Sequence, residues 1–275
     1  MSTQADKART FLALHRPGSP LLLPNPWDRG SARLLAQLGF SALATTSSGF
    51  AATMGRDDGA VTRDEALTHA AEIVAATELP VSADLEDGYA DDPAGVAETV
   101  RGAIAAGLAG CSVEDYTRRD DDPVYDIKLA AERVRAAAEA AHAGSFVLTA
   151  RAENYLRGRP DLADTIARLQ AYSQAGADVL YAPGLTTPDS VAEVVRAAAA
   201  LPVNVLVGAP GFTHRQLEDL GVRRISTGAS LARMAWGGFM RAAEQIATEG
   251  RFDAFADGAS FARLNELFKS HATED

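Results

Sequence analysis

The sequence predicts an α/β protein that folds as one (β/α)8 barrel (TIM barrel) over residues 1–275. Eight short apolar segments alternate with helical patterns, and the connections have lengths usual in barrels. In AQLGFSAL, IAAGLAGCSVE, QAGADVLYA and EDLGVRRIS, a helix ends in glycine and a buried strand follows within a few residues. This repetition favours a barrel over a doubly wound open sheet, and no change in composition marks a linker.

Local signals place the elements along the chain. Asp28 and Thr62 are helix caps, Thr62 as a capping box with Glu65, and glycines such as Gly39 end helices. The predicted strands are 21–25, 42–48, 81–85, 110–116, 146–153, 177–184, 203–208 and 224–228. The predicted helices are 5–15, 29–38, one from Thr62, 93–106, one ending near 143, 161–175, one from Thr187, 213–220, 231–248 and an extra amphipathic helix over 253–269.

Composition limits the possible functions. The chain is 47% hydrophobic and 23% charged, which is typical of a globular protein, and its net charge of −11 argues against nucleic acid or an anionic membrane as a partner. It does not exclude an anionic substrate, because a metal and a few arginines can reverse the field in one cleft. The single cysteine, Cys111, and the absence of an apolar leader or membrane span predict a cytoplasmic protein with an inert core thiol.

Charged residues gather where three successive strands end. These residues are Asp84, Glu86 and Asp87 on the third strand, Glu114 and Asp115 on the fourth, and Arg151 and Glu153 on the fifth. Unpaired carboxylates are costly to bury, and barrel active sites lie at the carboxyl ends of the strands. The pattern therefore predicts a site for Mg²⁺ or Mn²⁺. The alternative is a set of solvated, charged loops.

Four further features are candidates for the same site, each with a structural alternative. The segment Thr45-Thr46-Ser47-Ser48-Gly49 is an anion cradle or a polar turn. Asp58 is an outer acid near the metal or a turn residue. Arg151 binds a substrate carboxylate or pairs with a neighbouring glutamate, and Asn204 contacts a ligand or is a hydrogen-bonded core amide. The histidines lack metal-binding spacing, and nucleophile-elbow, P-loop and dinucleotide motifs are absent from the sequence.

These motifs together are similar to those of a known superfamily. The stretches PNPWDRGSA, TTSSGFAATMGRDDG, PVSADLEDGY, GCSVEDY and LTARAENY occur in the order seen in the isocitrate lyase / phosphoenolpyruvate mutase superfamily. The chain resembles its short bacterial members, the group around methylisocitrate lyase and phosphonopyruvate-processing enzymes, over residues from about 21 to about 250. The resemblance implies a barrel whose last helix is exchanged between subunits, usually in a tetramer.

The resemblance also implies a Mg²⁺ site that holds a 2-oxo acid or its enolate. By motif, Asp84 matches the metal-proximal aspartate, Glu86 the second acid of that motif and Glu114 the metal-site glutamate, while Asp58 matches an outer acid. Metal ligands Asp84, Glu86 and Glu114 are therefore expected, with Glu114, Asp58 and Arg151 as catalytic residues.

Substrate binding is implied for a second set of residues. Ser47, Ser48 and Gly49 match the stretch that cradles the carboxylate of a 2-oxo acid, and Arg151 matches the substrate-binding arginine. Asn204 and Arg118 complete the expected substrate-binding set.

The loop after the fourth strand departs from the superfamily pattern. Isocitrate and methylisocitrate lyases carry a K-[KR]-C-G-H loop with a catalytic cysteine there, whereas this chain has Tyr116-Thr117-Arg118-Arg119-Asp120. The gating Lys and Asn of the phosphomutase are also absent. The sequence thus predicts a Mg²⁺-dependent lyase that cleaves a C–C bond of a small 2-oxo- or 2-hydroxy-carboxylate through an enolate. The alternatives are a C–P bond enzyme of the phosphonopyruvate hydrolase or phosphoenolpyruvate mutase type, or a non-catalytic carboxylate-binding barrel.

Two expectations concern the loop and the assembly. The segment 116–125 is expected to be a lid whose Arg118 and Arg119 face the substrate, the alternative being a surface loop in which both pair with Asp120–Asp122. The apolar residues of the predicted last barrel helix, among them Trp236 and Phe239, favour a homotetramer or homodimer.

Overall fold

The structure, a computed structural model, describes residues 2–269 and contains the predicted barrel. Eight parallel strands alternate with helices along the chain. The strands are Leu21–Leu23 (β1), Leu43–Ala44 (β2), Val81–Asp84 (β3), Gly110–Glu114 (β4), Val147–Arg151 (β5), Val179–Tyr181 (β6), Val203–Leu206 (β7) and Arg224–Ser226 (β8). A single domain over 1–275 stays a prediction, since Met1 and residues 270–275 lie outside the described residues.

The helices surround the strands and continue beyond them. They are Gln4–Ala13 (α1), Arg29–Gln37 (α2), Ser47–Thr53 (α3), Arg63–Ala75 (α4), Pro93–Ala105 (α5), Ile127–Ala143 (α6), Leu162–Gln174 (α7), Pro188–Ala197 (α8), His214–Asp219 (α9), Ser230–Glu249 (α10) and Phe261–Lys269 (α11). The capping box of Thr62 and Glu65 is present at the start of α4. Within residues 2–269, none of the helices is long and apolar enough to span a membrane.

Two segments differ from the sequence prediction. Residues 47–53, expected as a strand end and loop, form α3, because the Thr46 hydroxyl accepts a hydrogen bond from Gly49 N (3.4 Å) and caps the helix. The predicted helix over 253–269 is interrupted. A 3-10 turn covers Asp253–Asp257, the backbone is extended at Gly258, and α11 begins at Phe261.

The strands pair in the order β1-β8-β7-β6-β5-β4-β3-β2, which leaves β1 and β2 at the two ends of the sheet. Two hydrogen bonds span this last gap, from Ala44 N to Pro24 O (3.1 Å) and from Asn25 Nδ2 to Thr45 O (2.9 Å). The barrel is therefore nearly closed, and the carboxyl ends of all eight strands meet at one mouth.

Alternation along the strands separates the apolar core from the polar barrel interior. Outward residues such as Val81, Cys111 and Leu148 belong to the core packed between the strands and the helices. The residues between them, such as Ser82 and Thr149, point into the barrel. Polar and charged side chains therefore line its interior towards the mouth, and Cys111 is a buried free thiol, as predicted.

Helix α1 closes the opposite end of the barrel. Phe11 of α1 is completely buried in a small apolar cluster with Leu21, Leu23 and Val147. Gly110 at the start of β4 makes room for it, because a Cβ there would lie 2.6 Å from Val147 O and 3.1 Å from the Phe11 ring. The amino-terminal ends of the strands are thus sealed from water by a single short helix.

We expect Phe11→Ala to lower the free energy of unfolding by roughly 3–5 kcal/mol, because it removes a buried aromatic ring from this seal. Leu12→Ala on the same helix is the control, since Leu12 is 46% exposed and its truncation should change stability by no more than about 0.5 kcal/mol. Urea unfolding of both variants measures the difference. Equal destabilisation would contradict the sealing role of Phe11.

Candidate active site

A cavity of about 340 Å³ opens at the mouth of the barrel and is lined from all eight strands or their following loops. Eight of the site residues predicted from the sequence line it: Ser47, Ser48, Asp58, Asp84, Glu86, Glu114, Arg151 and Asn204. The other two predicted site residues, Gly49 and Arg118, are not among the described residues that line the cavity. The folded chain therefore brings together most of the predicted site from strands far apart in sequence.

Ser47 joins the two aspartates of the cavity. Its backbone N–H donates to Asp84 Oδ2 (3.3 Å), and its hydroxyl lies 3.1 Å from both Asp84 Oδ2 and Asp58 Oδ1. A hydroxyl has one proton to donate, so it can serve only one of these carboxylates at a time. In the segment predicted as an anion cradle, Ser47 therefore binds a carboxylate of the protein itself, that of Asp84.

Arg151 lies at the centre of the acidic side chains. Its Nε is 3.2 Å from Glu114 Oε2 and also contacts Glu153 Oε1, while Nη1 is 3.7 Å from Asp84 Oδ1. The guanidinium carbon lies 5.2 Å from the centre of the Tyr181 ring. Arg151 therefore pairs with the neighbouring acids, as one of the two interpretations of the sequence expected, and also lines the cavity.

The negative charge of the cavity carboxylates is only partly compensated by the arginines that contact them. Burial and the nearby charge of Asp84 raise the pKa of Asp58 above its ordinary value. The same two causes raise the pKa of Glu86 to about 7. Burial also raises the pKa of Glu114, although Arg151 opposes this shift. Burial and the repulsion between these carboxylates therefore disfavour their charged forms, which a nearby cation would favour.

The donor set fits a hard divalent ion bound partly through water. Within residues 2–269, no three His, Cys, Asp or Glu side chains converge closely enough to hold a metal by themselves. Of the three predicted ligands, Glu86 is paired with Arg118 and Glu114 with Arg151, whereas the contact of the Asp84 carboxylate with Arg151 is longer, at 3.7 Å, and its hydrogen bonds come from neutral groups such as Ser47. Mg²⁺ commonly uses one or two carboxylates and keeps several waters, so Asp84 is the best-placed direct ligand.

Arg118 binds the acidic turn that follows β3. Its guanidinium donates to both oxygens of Asp87 (2.7 and 2.8 Å), to Glu86 Oε2 (2.8 Å) and to Gly59 O (2.8 Å). Glu86, Tyr89 and Arg118 all have positive φ angles of 49–61°, a backbone conformation that costs energy outside glycine. Arg119 instead lies 3.6 Å from Asp122 on the surface. The two arginines expected to face the substrate thus have different partners, and in this structure both are carboxylates of the chain.

Gly88 allows the acidic turn to leave the strand sharply. Its φ is +77°, and a Cβ there would lie 2.9 Å from Val96 Cγ1. The turn therefore packs tightly against α5 while its acids face the cavity and Arg118.

Besides Arg151, the aromatic and cationic residues that line the cavity were not predicted as ligands: Tyr116, Arg157, Tyr181 and Arg224. Arg157 Nη2 lies 3.5 Å from Glu114 Oε1 and 3.2 Å from Glu153 Oε2, and its guanidinium carbon is 3.5 Å from the centre of the Tyr116 ring. Arg157 lies in the turn after β5, so its pairing with Glu114 and Glu153 depends on how that turn folds. The inward direction of the Arg224 side chain could have been predicted from the alternation of side chains along its strand.

The fold agrees with comparisons to known proteins. A family model described as phosphoenolpyruvate phosphomutase matches residues 11–247. The chain therefore belongs to that family.

Related proteins support this assignment over most of the chain. A Burkholderia cenocepacia J2315 protein of known structure, provisionally described as a lyase/mutase, is 51% identical with a TM-score of 0.92 over 96% of each chain. An uncharacterized protein of Mycobacterium tuberculosis (strain ATCC 25618 / H37Rv) is 37% identical over 80% of this chain and 82% of its own. The structure of 2,3-dimethylmalate lyase, a PEP mutase/isocitrate lyase superfamily member, is 26% identical with a TM-score of 0.84 over 97% of this chain and 95% of that one. The superfamily resemblance of the motifs is confirmed.

We expect Arg118→Ala to lower the free energy of unfolding by roughly 1–3 kcal/mol, because it leaves the buried carboxylates of Glu86 and Asp87 without their main cation. The neighbouring variant Arg119→Ala is the control and should change stability by no more than about 0.5 kcal/mol, since its pair with Asp122 is exposed. Thermal and urea unfolding in metal-free buffer measure both. If the two variants behaved alike, the assigned role of Arg118 would be wrong.

Proposed function

We propose that this chain is a Mg²⁺- or Mn²⁺-dependent lyase that cleaves a C–C bond of a small 2-oxo- or 2-hydroxy-carboxylate. The observation that carries the proposal is the cavity at the barrel mouth, which is lined by Arg151 and by four carboxylates, several of them with raised pKa values: Asp58, Asp84, Glu86 and Glu114. Membership of the family and the similarity to 2,3-dimethylmalate lyase support carbon–carbon cleavage as its chemistry.

Asp84 would hold the ion, with Glu86 and Glu114 beside it. A bound divalent ion supplies a fixed positive charge for the negative charge that develops on the substrate oxygen. It would also lower the raised pKa values of the neighbouring acids, because a nearby cation favours their charged forms. The chain's own donor set thus suits the ion and the substrate together.

Arg151 and Arg157 would bind the substrate carboxylate. Both guanidinium groups line the cavity and already contact Glu114 and Glu153, so a substrate carboxylate would share them with these acids. Ser47 and Ser48 would position the substrate beside Asp84. The remaining N–H groups of the arginines fix the carboxylate in one orientation.

Asp58 is a candidate for a group that holds a proton, because its carboxylate lines the cavity and contacts Ser47, whereas Glu86 is paired with Arg118. Its pKa is raised by burial and by Asp84, and the Ser47 hydroxyl lies 3.1 Å from its Oδ1. A general acid or base works best when its pKa approaches the working pH. Cys111 cannot take this role, because it is buried outside the cavity and burial raises the pKa of its thiol. No cysteine step is therefore part of the proposal.

The proposal is tested with oxaloacetate, a 2-alkylmalate and phosphonopyruvate, each with and without Mg²⁺, by scoring pyruvate, other carboxylate products and inorganic phosphate. We expect Mg²⁺-dependent release of carboxylate products from a substrate with a C–C bond to break. Phosphate release from phosphonopyruvate alone would favour the C–P alternative. Binding without turnover across the panel would favour a carboxylate-binding barrel.

We expect Asp84→Asn to lower Mg²⁺-dependent turnover by about 100-fold or more and to weaken Mg²⁺ binding measured by calorimetry. Even the loss of an outer partner of a metal site costs about 10–100-fold. Asp57→Asn is the matched control, because Asp57 is exposed and does not line the cavity. Wild-type Mg²⁺ affinity and turnover in Asp84→Asn would overturn the metal assignment.

We also propose a homodimer or homotetramer in which α10 packs on a neighbouring subunit. Of the 20 residues of α10, Ala232 is the buried one, and Met234 and Phe239 are 69% and 63% exposed. A helix this apolar requires a partner surface.

We also propose a cytoplasmic location, since the one cysteine of the sequence is a free buried thiol.

Light scattering at micromolar concentration should therefore give a mass of at least two chains of 28.8 kDa. Phe239→Glu should shift the distribution towards the single chain, because it places a charge in the apolar face. Glu244→Gln on the same helix should leave the mass unchanged. A wild-type mass of 28.8 kDa would contradict the assembly.

A further inference from the structure

Arg224 occupies the interior of the barrel beneath the acidic residues. It is the first residue of β8, paired in register with Leu21 of β1 and Asn204 of β7, and it is only 4% exposed. Alternation along β8 directs Arg224 and Ser226 inward, whereas Ile225 belongs to the outer core. Arg224 also lines the cavity, so its guanidinium forms part of the cavity floor.

The guanidinium is held by neutral groups. Its Nε donates to Asn204 Oδ1 (2.9 Å), and Nη1 donates to Thr149 Oγ1 (2.9 Å). Asn204 is itself fixed by a hydrogen bond from Nδ2 to Ser226 Oγ (2.9 Å). Asn204 thus acts as a core amide that orients Arg224, and a guanidinium with five N–H groups keeps donors for a further partner.

Among residues 2–269, no carboxylate pairs with Arg224, in contrast to Arg151 and Arg157 above it. Burial lowers the pKa of Arg224 only to about 10, so it is charged at neutral pH. His15 lies nearby at the sealed end, and burial together with the charge of Arg224 lowers its pKa to about 3. The imidazole is therefore neutral and adds no second positive charge beside Arg224. A buried charge without a counter-ion is costly to keep.

The position of Arg224 sets the distance to the acidic part of the cavity. Thr149, its partner on β5, precedes Arg151 by two residues, and both side chains point into the barrel. Two residues along a strand span about 6–7 Å, so Arg224 lies one layer below Arg151. An anion reaching from Arg151 towards the floor would meet the positive charge of Arg224 there.

We propose that Arg224 binds a second carboxylate of the substrate, so that the cavity selects a dicarboxylate over a monocarboxylate of the same carbon chain. The inference rests on the proposed function, because it assumes that the 2-oxo or 2-hydroxy end binds beside Asp84 and Arg151. The distal carboxylate then lies on the floor, where Arg224 donates to it and Thr149 and Asn204 hold the guanidinium in place.

Two pairs of ligands isolate this contact. Malate and 2-hydroxybutyrate, and likewise oxaloacetate and 2-oxobutyrate, share a four-carbon chain and differ in the terminal carboxylate. We expect calorimetry with Mg²⁺ to give at least about tenfold tighter binding of malate than of 2-hydroxybutyrate to the wild type. A charged hydrogen bond in a buried site is of this strength.

Arg224→Met should abolish the preference by weakening malate binding while leaving 2-hydroxybutyrate binding unchanged. Arg224→Lys keeps the charge and should retain part of the preference. Arg223→Met is the matched control, since Arg223 points away from the barrel interior and donates to Ala200 O (2.9 Å). Its ligand preference should equal that of the wild type. Circular dichroism and thermal unfolding confirm that each variant is folded.

A purely structural Arg224 would give a different result. Malate and 2-hydroxybutyrate would then bind the wild type equally, or Arg224→Met would weaken both to the same degree, and either outcome overturns the inference. Mg²⁺-dependent cleavage of a monocarboxylate together with equal binding would overturn the inference alone and leave the proposed function intact. Failure of the wild type to bind any of the four ligands, with no effect of Mg²⁺, would overturn both.

Discussion

The pairing of buried acids with a few arginines is the constraint on which the mouth of this barrel depends. Carboxylates from three successive strand ends meet there, and each must be compensated if it is to remain charged away from water. Arg151 compensates Glu114 and Glu153 from inside, and Arg118 compensates Glu86 and Asp87 from the rim. Asp84 and Asp58 receive the least compensation. The proposed cation would therefore bind beside Asp84 and Asp58, the carboxylates that the arginines compensate least.

The loop after β4, residues 116–125, is where the sequence of this chain differs from that of the cysteine-bearing lyases of the superfamily. Where the superfamily motif has a loop with a catalytic cysteine, this chain has Tyr116-Thr117-Arg118-Arg119-Asp120, and Arg118 is bound to Asp87 and Glu86 rather than held over the cavity. The loop therefore stabilises the acidic turn. Proton transfer, if it follows the proposed chemistry, falls to groups inside the cavity such as Asp58.

The sequence predicted the barrel because its signals are local. Glycine ends, capping boxes and short apolar strands each depend on a few neighbouring residues, and the acids of the site follow the strands directly. The partners of those acids are separated from them in sequence, as Arg118 is from Asp87, and depend on how loops pack. The inward direction of Arg224 and the outward direction of Arg223 depend on strand register. Residues 47–53 were expected as strand end and loop, because a one-residue cap at Thr46 is a weak signal beside the apolar run before it.

The seal formed by α1 has a consequence for the order of folding. About half of the chain lies between Phe11 and Val147, against which it packs. Contacts this distant in sequence form slowly, because a long loop must close before they contribute. The first helix of the chain must therefore wait for the fifth strand before its apolar face is covered. Until then, that face and the open lower end of the barrel are surfaces on which a nascent chain can associate wrongly.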